Sequence, residues 1–186
     1  EAGPQFDQNI TSIFRSGELD DLFAFDELFC EEAAAYRIKG EVPVDPDFIV
    51  PIGKSRVVCQ GDALTIAGFG TAVLKATKAA QMLREEGIDV ELIDLRSLRP
   101  LDLDPVTASV RRTGKLLLVD EFTETFGITG EIAFQVTRDC FDVLKSPVER
   151  CTLPDTIIPA APTMEDFVML SPEKIADRAK KMIDKK

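Results

Sequence analysis

The stretch ALTIAGFGTAVLKATKAAQMLREEGIDVELIDL (63–95) decides the fold class of this 186-residue chain. Its first eight residues form an apolar run that ends in glycines, which predicts a strand, and VELIDL (90–95) predicts another. Between them the pattern indicates a helix over 71–86, closed by Gly87. The apolar side of that helix is predicted to hold Val73, Leu74, Ala76, Ala80 and Leu83.

The flanking sequence continues the alternation of strands and helices. RVVCQ (56–60), KLLLVDE (115–121) and VERCT (148–152) predict three more strands, and the second of them is apolar on both faces, as buried parallel strands are. Asp104 and Pro105 fit the N-cap and first position of a helix that stops at Gly114. Strands alternating with helices indicate an α/β domain with a mostly parallel sheet and helices on both faces.

Two further helices are predicted towards the end of the chain. One covers 130–144 and stacks Ile132, Val136, Cys140 and Leu144 at steps of four residues. The other opens at Ser171 and Pro172. Its apolar stripe is predicted to consist of Ile175, Ala179, Met182 and Ile183.

Composition excludes several classes of function. The net charge is −11, from 22 Lys and Arg against 33 Asp and Glu, which disfavours nucleic-acid binding because that needs a positive surface. An acidic surface suits a basic protein partner, or it serves only solubility. The absence of histidine removes Ser-His-Asp and Cys-His nucleophile systems and histidine-containing zinc sites.

The cysteine pattern and the hydropathy indicate the kind of cellular compartment that suits this chain. Cys30, Cys59, Cys140 and Cys151 form no C-x-x-C pair, so we expect small buried hydrophobic side chains in a reducing compartment. No apolar run approaches the ~20 residues of a membrane helix. The first residues, EAGPQFDQ, lack the pattern of a signal peptide.

The turn GFGT (68–71) is a candidate phosphate site, because it follows a strand and opens a helix. The alternative is a tight turn in which Thr71 caps the helix. Val73 stands where the dinucleotide fingerprint needs its third glycine, so the capped turn is favoured.

Three other segments carry candidate groups. In 93–102, Arg96 and Arg99 can hold an anionic ligand, or they can pair with neighbouring acids or a partner subunit. The trio Asp120, Glu121 and Glu124 can divide acid and base roles, or it forms a solvated face or interface on an exposed loop. The proline-rich segment 154–166 fits either a docking strip or an irregular connector that covers core.

Six motifs, taken in order, resemble one family. The sequence resembles the carboxy-terminal domain of the beta subunit of the decarboxylating component of pyruvate or branched-chain 2-oxo acid dehydrogenases, a domain shared with transketolase and deoxyxylulose-phosphate synthase. The resemblance covers about residues 36–186. The motifs are VPIGKSRVV, LTIAGFGTAV, GIDVELIDLRSLRPLD, KLLLVDE, GITGEIA and SPVERCTLPDTIIPA.

The resemblance implies a fold and a role. The fold is a three-layer α/β/α sandwich around a five-stranded, mostly parallel sheet, of the transketolase carboxy-terminal type. In such enzymes thiamine diphosphate and Mg²⁺ are held outside this domain, so no catalytic, cofactor-binding or metal-binding residue is expected in this chain. The resemblance also implies an alpha subunit, a second beta subunit and a lipoyl acyltransferase core as partners, without nucleic acid or membrane. Lys145-Ser146-Pro147 stands where the family often has an acid.

The function expected from this resemblance is assembly within an oxidoreductase of the cytoplasm or mitochondrial matrix. The alternatives are a stand-alone interaction module, a transketolase or deoxyxylulose-phosphate synthase relative, and a small-molecule binder. The Phe-rich acidic stretch 13–30 is the reason for considering the interaction module. We expect an atypical segment over 1–40 that ends a missing pyrimidine-binding domain, a linker over 41–54, and the domain itself over 55–186. Residues expected at subunit contacts are Arg96, Glu121, Phe126, Gly127, Gly130 and Glu131.

Overall fold

A computed structural model describes residues 48–184. The expectations for residues 1–47, including the segment 1–40 and the first half of the linker 41–54, lie outside the described residues. Within the described range, residues 48–55 form neither helix nor strand. The strands are β1 (Arg56–Cys59), β2 (Thr65–Gly68), β3 (Glu91–Asp94), β4 (Leu116–Thr123) and β5 (Glu149–Leu153). The helices are α1 (Thr71–Glu85), α2 (Asp104–Thr113), α3 (Ile128–Cys140), α4 (Pro162–Val168) and α5 (Pro172–Asp184).

The five described strands form one sheet in the order β1-β3-β2-β4-β5. β2 pairs in parallel with both β3 and β4, and β4 pairs in parallel with β5. Only β1 is antiparallel, along β3. The predicted α/β fold with a mostly parallel sheet is therefore confirmed.

Two apolar cores lie on opposite faces of the sheet, because successive strand residues point to opposite sides. Leu117 and Val119 of β4 join α1 and α5 in one core. Leu116 and Leu118 join α2 and α3 in the other. The sheet with helices on both faces gives the predicted three layers, and β4 is buried on both sides as its sequence predicted.

Four predictions about the secondary structure and the buried helix faces need correction. Leu74 was placed on the apolar side of the first helix, but it is 42% exposed, whereas Ala79 is fully buried there. The helix predicted over 130–144 begins at Ile128 and ends at Cys140. Its predicted member Leu144 lies beyond it, in a turn that the Cys140 carbonyl closes by accepting the Leu144 N–H (3.1 Å).

The other two corrections concern capping and the proline-rich segment. Asp104 is the first residue of α2 rather than its N-cap, and the side chain at that end is Asp102, whose Oδ1 accepts the Asp104 N–H (3.3 Å). The segment 154–166 is not wholly irregular, since α4 begins within it. No residue of α4 is buried, so this helix does not cover core.

Candidate functional site

The crevice at the carboxyl ends of β2 and β4 is where this topology favours a ligand. The chain leaves β2 for β3 on one side of it and returns through α2 to β4 on the other, and α/β sheets bind ligands where this reversal occurs. The crevice is narrow beside Gly68, because a Cβ placed there would lie 2.5 Å from Val119 Cγ2 and 2.6 Å from the Val119 carbonyl oxygen.

The carboxylate of Glu121 lies at the position where an anionic ligand would bind. The Thr71 hydroxyl donates a hydrogen bond to Glu121 Oε2, and Lys75 Nζ donates one to Oε1. Both donors belong to the first half of α1, whose amino-terminal end favours negative charge. A phosphate at this turn would meet the fixed carboxylate, so the geometry disfavours the phosphate interpretation.

The same contacts correct the expected role of Thr71. The N-cap of α1 is Gly70, with φ of 60°, and no side chain caps the helix from that position. Thr71 is the first helical residue, and its hydroxyl donates to Glu121 across the crevice. The turn is tight because Gly70 adopts a left-handed backbone, and the link between α1 and β4 replaces the expected cap.

The three acids of the segment 119–133 do not lie together on an exposed loop. Asp120 is 4% exposed within β4, where its Oδ1 accepts the Phe122 N–H at 3.1 Å. Glu121 is bound to α1, and Glu124 forms an ion pair with Arg150 at 3.0 Å. The prediction of one solvated face is therefore wrong for Asp120 and Glu121, and no shared acid–base pair is formed.

The arginine segment after β3 is held by its own neighbours. Asp94, the last residue of β3, accepts the Arg96 N–H at 3.1 Å and lies 3.8 Å from Arg56 Nη2 and 4.0 Å from Arg96 Nε. Burial raises the pKa of Asp94, while the Arg96 amide and the Arg56 charge oppose that rise. Arg96 thus makes a structural pair, and Arg99 lies exposed beyond it.

Four of the six residues expected at subunit contacts lie around the start of α3. Phe126 is 99% exposed with φ of 60°, and Gly127 is the N-cap of α3. Glu131 is exposed and accepts a hydrogen bond from Gln135 Nε2 at 2.8 Å. Glu121 faces α1 instead, and Arg96 follows β3, which is separated from β4 by β2.

The two glycines of this group differ in what they contact. A Cβ on Gly127 would lie 2.6 Å from the Thr123 carbonyl oxygen, so the backbone of this chain itself requires glycine at that position. A Cβ on Gly130 would lie 3.6 Å from Arg150 Nη1, an ordinary contact. Within the described residues, nothing requires glycine at position 130.

Sequence analysis missed the residues that fix the loop before α3. Arg150 Nη1 donates to the Glu124 carbonyl at 2.9 Å, and Asp155 accepts hydrogen bonds from the Thr125 N–H at 3.0 Å and from its hydroxyl. These pairs join residues 26 and 30 positions apart, so no local pattern marks them. They hold the loop that carries Phe126 against the end of β5.

Replacing Asp155 with alanine is expected to loosen this loop. Both acceptors of Thr125 are lost, so its amide should exchange with solvent faster, as measured by hydrogen–deuterium exchange. Asp142→Ala serves as the control, because Asp142 is exposed and lies in a long ion pair, 3.8 Å from Arg111 Nη1. Unchanged exchange at Thr125 in the Asp155 variant would contradict this role.

The same carboxylate gives the loop a pH dependence. Hydrogen bonds from Thr125 lower the pKa of Asp155. Because the folded-state pKa is depressed, the stabilisation is complete above the unfolded pKa of about 3.9 and is lost as the pH falls through the folded value. Protection of Thr125 should therefore be complete above about pH 3.9 and decline as the pH falls further.

The remaining reactive groups of the described residues do not form a second site. Cys140 and Cys151 are buried, as expected, and burial raises the pKa of both thiols, which makes them unreactive. Cys59 is half-buried, and Cys30 lies outside the described range. No group of three or more potential metal ligands occurs among residues 48–184. No helix in that range is long and apolar enough to span a bilayer.

The fold is thus a three-layer α/β/α domain, and its own side chains close the crevice where a ligand would bind. Residues 53–175 match the family model of the transketolase C-terminal domain, and the chain belongs to this family. The resemblance found in the sequence motifs is thereby confirmed.

The curated relatives are beta subunits. The chain is 41% identical over 150 residues to the 2-oxoisovalerate dehydrogenase subunit beta of Bacillus subtilis, covering 80% of this chain and 46% of the relative. It is 39% identical over 154 residues to the acetoin:2,6-dichlorophenolindophenol oxidoreductase subunit beta of Cupriavidus necator, covering 83% and 45%. The chain thus spans less than half the length of these relatives.

Solved structures share the fold. A split-gene transketolase described as an inactive beta4 tetramer superposes with a TM-score of 0.61 at 23% identity, over 75% of this chain and 45% of that one. A transketolase variant from Pichia stipitis superposes with a TM-score of 0.50 at 18% identity, over 70% and 18%. At these identities the likeness concerns the fold alone.

Proposed function

We propose that this chain is the non-catalytic assembly domain of a thiamine-diphosphate-dependent 2-oxo acid dehydrogenase, located at the carboxyl end of its beta subunit. The whole enzyme would decarboxylate pyruvate or a branched-chain 2-oxo acid and pass the acyl group to lipoamide. The relatives named as pyruvate dehydrogenase and 2-oxoisovalerate dehydrogenase beta subunits support this assignment.

The observation that carries the proposal is the occupied crevice. Glu121 is bound by Thr71 and Lys75, and Asp94 lies between Arg56 and Arg96. Mg²⁺ prefers free oxygen ligands and water, and a diphosphate needs unopposed donors at a helix start. The residues at this crevice therefore do not fit thiamine diphosphate or its metal ion.

The partners follow from the same proposal. An alpha subunit and a second beta subunit would bind this domain, with Phe126, Gly127, Gly130 and Glu131 at or near one contact and Arg96 and Glu121 at another. The lipoyl acyltransferase core is a third partner. Relatives include bacterial and mitochondrial proteins, which favours the cytoplasm or the mitochondrial matrix.

The domain limits belong to the proposal as well. Residues 1–40 would end the pyrimidine-binding half of the subunit, residues 41–54 would link the halves, and residues 55–186 would form the domain. The chain spans 46% of the Bacillus subtilis relative, which leaves room in such a subunit for a coenzyme-binding half.

Calorimetric titration of the 186-residue chain with thiamine diphosphate and Mg²⁺ tests the proposal. We expect no saturable binding at coenzyme concentrations up to about 1 mM, which corresponds to less than about 4 kcal/mol of binding free energy. The complete subunit combined with its alpha subunit is the positive control. Saturable binding to the chain alone that Glu121→Gln abolishes would refute the proposal.

A further inference from the structure

Exposed apolar side chains occur in the two segments that follow the carboxyl ends of β4 and β5. Pairing of Thr123 with Leu153 and the Thr125–Asp155 hydrogen bonds bring the two segments together, and α4 follows the second segment directly. We call the surface of these two segments and α4 the acidic apolar surface. Its exposed apolar residues are Phe122 at 58%, Phe126 at 99%, Ile157 at 90%, Ile158 at 50%, Met164 at 59% and Phe167 at 82%.

The charge on the same segments is of one sign. Residues 120–137 and 151–173 contain eight acids and no lysine or arginine. The neighbouring cations that reach these segments are engaged within the chain. Arg150 binds Glu124 at 3.0 Å, and Lys174 Nζ donates to the Met169 carbonyl at 2.6 Å. Glu121 is also paired with Lys75, Asp120 is buried, and Lys174 Nζ lies 5.8 Å from the centre of the Phe167 ring. The other acids of these segments are exposed, namely Glu131, Asp155, Glu165, Asp166 and Glu173. The surface therefore combines large apolar side chains with an excess of negative charge.

We propose that the acidic apolar surface is the docking site for a basic segment of a different protein chain, one that presents lysine or arginine around an apolar pocket. This inference deepens the proposed assembly role and rests on it. Opposite charge steers such a partner and rejects wrong ones, while aromatic anchors buried at the centre supply most of the binding energy. Phe126, which is almost fully exposed, is the principal anchor.

The loop that carries the anchor is fixed before any partner binds. Thr125 is held by Asp155, Glu124 is held by Arg150, and Gly127 lies against the Thr123 carbonyl. Fixing a contact residue in advance reduces the entropy that association costs. An exposed phenylalanine on a loop held by three separate contacts is thus suited to binding.

Charge also decides against a second copy of this chain as the occupant. A twofold contact places the same patch on both sides, so two copies of segments that hold eight acids and no lysine or arginine would face each other, with only Arg150 and Lys174 beside them. Such like-charge contacts oppose association. A basic partner meets the same acids with opposite charge.

A labelled synthetic helical peptide, with lysines on one face and leucines on the other, is the probe. Its binding to the 186-residue chain is measured by fluorescence anisotropy at low and physiological ionic strength. We expect salt-sensitive binding that weakens about tenfold or more in the double variant Phe126→Ser/Phe167→Ser. The matched control is Phe134→Ser/Phe141→Ser, which removes two phenylalanines of α3 and its end that are 63% and 78% exposed.

A second pair of variants isolates charge. Glu165→Gln/Asp166→Asn should weaken binding and reduce its salt dependence, whereas Asp62→Asn/Asp184→Asn, at the other end of the sheet, should not. Absence of binding, or equal affinity of the surface and control variants, overturns the inference. A dimer in sedimentation analysis that Phe126→Ser/Phe167→Ser dissociates overturns it too. None of these results alters the coenzyme titration, so the two proposals fail separately.

Discussion

Replacing Gly68 with alanine is expected to lower the free energy of unfolding by about 3 kcal/mol. The new methyl group would lie 2.5 Å from Val119 Cγ2 and 2.6 Å from the Val119 carbonyl oxygen. The Val119 side chain can rotate away, but the Val119 carbonyl belongs to the backbone ladder that joins β2 to β4. Relief would therefore require the two central strands to separate. Urea unfolding monitored by circular dichroism measures the change.

Gly87→Ala is the control for this substitution. Gly87 follows α1 with φ of +80°, and nothing lies within 4 Å of the position a Cβ would take. Only the left-handed backbone then opposes alanine, at a cost of about 1 kcal/mol. Equal destabilisation by the two variants would mean that close strand approach at Gly68 is not what fixes the crevice width.

The fold could be predicted from the sequence where the signal is local. In the strand–helix–strand unit over 63–95 the helix was predicted to within one residue and the strands to within two residues at either end, because its periodicity and its closing Gly87 lie within one continuous stretch. The helix after β4 was misplaced at both ends. Its end at Cys140 depends on a turn in which the Cys140 carbonyl accepts the N–H groups of both Val143 and Leu144, which periodicity does not reveal.

The candidate site was predicted less well, because its contacts cross the sheet. The strand was predicted to end at Glu121 and the acids of 120–124 to lie exposed, but β4 runs to Thr123 and buries Asp120. Glu121 then reaches Thr71, which is 50 residues away in the chain. Phe126 was predicted at a subunit contact and is exposed on its loop, but its role there stays a prediction. Asp155, 30 residues from Thr125, left no sign in the sequence near that loop.

The proposals assign different roles to the crevice and to the acidic apolar surface. Glu121, Thr71 and Lys75 close the place where related architectures bind ligands. Phe126 and α4 leave apolar side chains exposed beside it. In this account the domain has a fold that is common among enzymes, but the carboxyl edge of its sheet contacts other chains instead of binding a small molecule.

Release of carbon dioxide from pyruvate and from 2-oxoisovalerate, with saturating thiamine diphosphate and Mg²⁺, tests the central claim most directly. The 186-residue chain alone should release none above the protein-free rate. The complete beta subunit with its alpha subunit should turn over, since enzymes exceed the uncatalysed reaction by about 10⁶-fold or more. Thiamine-dependent turnover by the chain alone would contradict the assignment of this domain to assembly.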